Sequence, residues 1–169
     1  MCRSMVLSTS RPGRRRTLAI SSSACAVVED PAMSCAMGYF GEFFYVDGEW
    51  RAVAADGDAY LRVEVHDSDI ATVDFRPAYG GTGRFFLGYE PRVYFEDDGA
   101  SAPVAKSEEA AAFRQWVRDV ANAEVDAERV EALMASSNPD DEPADAFVEE
   151  AVQRLLALAG LPSPEELPA

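Results

Sequence analysis

The sequence predicts an α+β protein: an N-terminal antiparallel β-meander sheet of about six strands over residues 37–96, packed on one face by two to three helices over residues 106–160. Three observations predict it. Between Tyr60 and Arg76 apolar residues fall on every second position, the period of a strand with one buried face. Beyond Ser107 the apolar spacing changes to three and four, the period of a helix. Fourteen of the 17 aromatic residues lie between Tyr39 and Phe95, so the bulky part of the core belongs to the strands.

The first strand is the aromatic-rich stretch from Gly38 to Val46. Asp47-Gly48 is a strong two-residue hairpin signal, and Glu49 to Ala54 returns as its partner. Asp56-Gly57-Asp58 turns the chain into Tyr60. Leu61, Val63 and Val65 alternate with Arg62, Glu64 and His66; Ala71, Val73 and Phe75 alternate with Thr72, Asp74 and Arg76. The link Asp67-Ser68-Asp69 is made of turn formers, so these segments form a hairpin that brings Arg62 and Glu64 close to Asp74 and Arg76 on the polar face. After the break at Gly80 to Gly83, Arg84 to Tyr89 and Arg92 to Glu96 are expected as two more strands on either side of Glu90-Pro91.

Ser107 is the expected N-cap of the first long helix, with Glu108 and Glu109 in its first turn and Phe113, Trp116, Val117 and Val120 on one face. A second helix is expected from Asp126, burying Val130, Leu133 and Met134. Residues 136–143 read as a solvated linker. A third helix, from about Ala144, presents Val148, Ala151, Val152, Leu155, Leu156 and Ala159, and Gly160-Leu161-Pro162 stops it. Residues 161–169 are expected to be a flexible tail.

Residues 1–36 carry five arginines against two acids, whereas the rest of the chain carries ten bases against 28 acids. This change marks a boundary, and the leader is expected to be a disordered extension. Arg14-Arg15-Arg16, the stretch from Leu18 to Val28 and Ala24-Cys25-Ala26 supply parts of a secretion signal, although Ser21 to Ser23 interrupt the apolar stretch. The alternative is a translation start at Met33 or Met37. The domain is expected in the cytoplasm, or exported if the leader acts as a signal. Fourteen of the 15 bases are arginine, a usage typical of a GC-rich bacterial genome.

The three cysteines are Cys2, Cys25 and Cys35, so the domain beyond them has no disulfide and no cysteine metal site. His66 is the only histidine, which excludes a paired-histidine metal motif. No apolar run approaches the roughly 20 residues that span a bilayer. A net charge of −15 argues against nucleic-acid binding, because phosphates are repelled. No cofactor, metal or catalytic motif emerges: His66-Asp67-Ser68-Asp69 has the residue types of a hydrolase triad, but neighbours on a strand end cannot align them.

Two functional expectations follow. The first is a non-enzymatic binding module, inhibitor- or immunity-like, that holds a basic protein one to one through Asp97, Asp98, Asp140, Asp141 and Glu142. The second is a small ligand-binding domain or enzyme that uses the polar sheet face, with His66, Asp74, Arg76, Arg84, Arg92 and Tyr94 around an anionic ligand.

Overall fold

Five strands, β1 (Gly41–Val46), β2 (Glu49–Arg51), β3 (Tyr60–His66), β4 (Ile70–Arg76) and β5 (Gly83–Gly88), form one antiparallel sheet in the order β2-β1-β3-β4-β5. The computed structural model describes residues 38–168, and the expectations for residues 1–36 lie outside them. Alternation sets the register. Leu61, Val63 and Val65 stand opposite Phe75, Val73 and Ala71, and Val73 and Ala71 stand opposite Phe85 and Leu87, so the buried residues form continuous cross-strand rows. Asp47 and Gly48, both at positive φ, make the β1–β2 turn. The meander is interrupted once: β2 is the outer strand, and β3 returns to the other side of β1.

The sheet has five strands rather than about six. The strand expected over Arg92 to Glu96 is not formed: Arg92 to Tyr94 belong to the short helix α1 (Pro91–Tyr94). Pro91 lies in its first turn, where its fixed φ suits a helix and its missing N–H costs nothing. The alternation of Val93 and Phe95 was too short to define a period. The outer edge of β5 is covered instead by the chain around Ala135, whose N–H donates to the Phe86 carbonyl at 2.8 Å, with bridges from Met134 to Leu87 and from Ser136 to Tyr89.

The helices α2 (Lys106–Trp116), α3 (Ala127–Glu131) and α4 (Val148–Leu158) follow the sheet. Helix α2 runs into a π-helical turn, Val117–Ala121, closed by left-handed Asn122. Ser107 lies inside α2 rather than capping it, whereas Asp126 caps α3 by accepting the Glu128 N–H at 3.0 Å. Helix α4 starts at Val148 rather than near Ala144, because the Val148 N–H is bonded to the Ser68 carbonyl at 2.8 Å. Its end is a Schellman motif: the N–H of Leu161 reaches the Leu156 carbonyl, that of Gly160 reaches Ala157, and Gly160 has φ 69°.

Helices α2 and α4 lie against the apolar face of β4 and β5. Phe113 sits edge-on to Phe75 and Phe85, with ring centroids 5.4 and 5.5 Å away. The buried Trp116 donates its indole N–H to the Arg76 carbonyl at 3.1 Å. The expected loose tail is packed: Leu161 and Leu167 are buried in the core, and Trp50 donates to the Pro162 carbonyl at 2.7 Å. Docking these two leucines into the core removes apolar area from water that a loose tail would leave exposed. No helix among the described residues is long and apolar enough to cross a membrane.

Candidate functional site

The polar face of the sheet carries a closed charge network. Arg62 donates to Glu42 at 2.6 Å, to Glu64 at 2.6 Å and to Asp74 at 2.8 Å. Arg84 donates to the two oxygens of the same Asp74, at 2.5 and 3.0 Å. Arg62, Asp74 and Arg84 are direct cross-strand partners, so strand register alone brings them together. Burial acts to lower the pKa of Arg62, but its bonds to Glu42 and Asp74 raise it further than burial lowers it. The bond to Asp74 likewise raises that of Arg84. Both guanidiniums already have carboxylate partners. His66 lies four residues along the strands from this row, about 13 Å at the usual strand rise. Arg76 sits over the Tyr60 ring at 5.6 Å, Arg92 bonds the buried Glu90, and Tyr94 belongs to α1. The six residues named for an anionic ligand are thus not gathered in one place.

A different site lies at the tip of the β3–β4 hairpin. Asp67 and Ser68 both have positive φ, 54° and 57°, and the Asp69 N–H closes the turn onto the His66 carbonyl. This conformation turns Ser68 inward, where it is 8% exposed. Its Oγ accepts the Tyr39 N–H at 2.7 Å and donates to Oε1 of Glu149 at 2.6 Å. Glu149 is buried in the first turn of α4, and its Oε2 has no hydrogen-bond partner among the described residues.

Beside this turn opens a cleft of about 890 Å³. Ser68, Asp69 and Tyr89 line it together with Asp140, Asp141, Glu142 and Asp145. The lining residues include five acids and a single arginine, Arg154, which is itself bonded to Asp145. Asp141 is held in place by Ser136 and Asn138, at 2.7 and 3.0 Å. Asp140 and Glu142 are exposed.

From the cleft a chain of rings leads outward. Tyr89 packs on Tyr94, Tyr94 on Phe95, Phe95 on His66 and His66 on Phe40, with centroid separations of 5.9, 5.0, 5.7 and 5.0 Å. Phe40 and Phe95 are half exposed, at 57% and 50%. The Tyr94 hydroxyl donates to Asp69 at 3.1 Å, which raises its pKa, and Asp67 reinforces the shift. Asp97 and Asp98 follow Phe95 on an exposed loop.

Of the acids expected to meet a partner, Asp140, Asp141 and Glu142 share the cleft; Asp97 and Asp98 stand on the separate loop beyond Phe95. Sequence patterning carries no signal for Tyr89 and Asp145 at the cleft, places Asp69 only in the His66-to-Asp69 turn, and gives Phe40 and Phe95 the look of ordinary strand residues. Among the described residues no group of three or more potential ligands is placed to hold a metal ion. Set against protein-family models, curated proteins and solved structures, the chain matches none.

Proposed function

We propose that this protein is a non-enzymatic binding module of the bacterial cytoplasm that contacts a basic protein one to one, in the manner of an inhibitor or immunity protein. The observation that carries this reading is the cleft beside the β3–β4 turn, whose lining holds five acidic residues and one arginine already bonded to Asp145. Such a concavity concentrates negative potential, speeds encounter with a positively charged surface and repels nucleic acid. The alternative, an anionic ligand on the polar sheet face, has less support, since Arg62 and Arg84 are bonded to Asp74 and Arg62 also to Glu42 and Glu64.

The test is co-purification with the full tagged chain from cell extract, washed at low and at high salt, beside the triple variant Asp140→Asn, Asp141→Asn, Glu142→Gln. The expected result is one basic protein retained in equal amount at low salt, released at high salt and lost from the triple variant. Retention of no basic protein, or equal retention by the triple variant, overturns the reading.

A further inference from the structure

We infer that the ring series Tyr94–Phe95–His66–Phe40 is a docking ridge for a basic protein segment that lays an arginine against the exposed rings while its neighbouring charge enters the cleft. This rests on the binding reading above and deepens it by naming the contact. The ridge and the cleft are one surface. Asp69 lines the cleft and accepts the Tyr94 hydroxyl, and Tyr89 lines the cleft and packs on Tyr94.

Two features select the partner's chemistry. Phe40 and Phe95 leave about half of their surface exposed on either side of the exposed His66, whose ring each of them meets edge-on. Clustered, half-exposed aromatics are the side chains that most often anchor an interface. The charges around them are acidic: Asp67 and Asp69 beneath Tyr94, and Glu96, Asp97 and Asp98 beyond Phe95. The cation next to Phe95 in α1, Arg92, already donates to Glu90 at 2.9 Å. Aromatic faces within an acidic rim attract a guanidinium, which can stack on a ring and bond a carboxylate together.

His66 is the only histidine, so its imidazole gives a single reporter signal in the middle of the ridge. The experiment follows that signal by NMR on the full chain during titration with three short glycine-spaced peptides: one carrying Arg-Trp-Arg, one with both arginines replaced by Glu, and one with Trp replaced by Gly. The expected result is a saturable shift of the His66 and Phe95 ring signals with the first peptide, none with the Glu peptide and a weaker one with the Gly peptide. Phe95→Ser should weaken the first peptide about tenfold, and Phe95→Leu, which keeps an apolar side chain there, should weaken it nearly as much because the ring face is lost. Shifts confined to backbone signals of residues 140–146 overturn the ridge and leave the acidic cleft standing. No shift anywhere, or equal binding by Phe95→Leu, also overturns the ridge.

Discussion

Ser68 and Glu149, 81 residues apart in the chain, share a hydrogen bond of 2.6 Å in which the Ser68 hydroxyl donates to the carboxylate. The same hydroxyl oxygen accepts the Tyr39 N–H, and the Ser68 carbonyl accepts the first N–H of α4. One turn residue therefore joins the start of the described chain, the central hairpin and the last helix.

Removing that hydroxyl should be costly. Ser68→Ala leaves the Tyr39 N–H and a buried carboxylate oxygen without their partner, a loss of about 2–4 kcal/mol. Ser68→Gly loses the same bonds but accepts the positive φ without strain, so it should be less destabilised than Ser68→Ala by about 1 kcal/mol. Urea denaturation of both variants measures the difference. Equal stability of the two would show that the left-handed turn carries no strain.

Asp74 is 3% exposed and bonded by two arginines, yet its removal should be milder than the loss of a typical buried ion. Arg62 keeps Glu42 and Glu64, and the half-exposed Arg84 can turn to water. We expect Asp74→Ala to cost about 1–3 kcal/mol, below the range for stranding a fully buried charge. Chemical denaturation at low and high salt checks this; a loss above that range would mean that Arg84 cannot reach solvent.

Gly88 has φ +71°, and a Cβ there would stand 2.1 Å from the Asp69 carbonyl oxygen. Gly88→Ala therefore combines left-handed strain with a backbone clash at the hairpin tip and should cost about 2 kcal/mol or more. Gly81, where an added Cβ meets nothing within 4 Å, is the control, and Gly81→Ala should change stability by about 0.5 kcal/mol or less. Thermal melts of the two variants side by side give the answer.

The hydrogen bond from Tyr94 to Asp69 holds the phenol above its ordinary value of 10.0, helped by burial and by the charges of Asp69 and Asp67. A pKa raised on folding stabilises the protein fully below the unfolded value and loses that contribution as pH rises through the folded one. The stability difference between the native chain and Tyr94→Phe should thus be constant to about pH 10 and shrink above it. Denaturation across that range tests the sign, and ultraviolet titration should show one tyrosine fewer ionising late in the variant.

Much of the fold was legible because strand and helix periods are local. The rows of Leu61, Val63 and Val65 follow from alternation alone, and so does the pairing of Arg62 with Asp74 across the hairpin. The short helix at Pro91 was not, because two alternating apolar residues fit either period. Nor was the packed tail, since burial of Leu167 depends on a surface built by distant segments. The site was least legible. Its cleft joins residues near 68, 89, 142 and 154, and Phe95, directly after α1, meets the His66 ring 29 residues earlier in the chain. Acidity announced the charge of Asp140, Asp141 and Glu142, but not the concavity that they line.

The flank of β5 limits how another protein can approach. The Arg84 N–H is taken by the Glu109 side chain at 3.1 Å, and the Phe86 carbonyl by Ala135. At the opposite margin β2 offers only three residues, two of them charged. Among the described residues, capped groups along β5 and the shortness of β2 restrict the ladder of amides that a foreign strand could extend, and so restrict lengthening of the sheet between molecules, the common start of fibre growth.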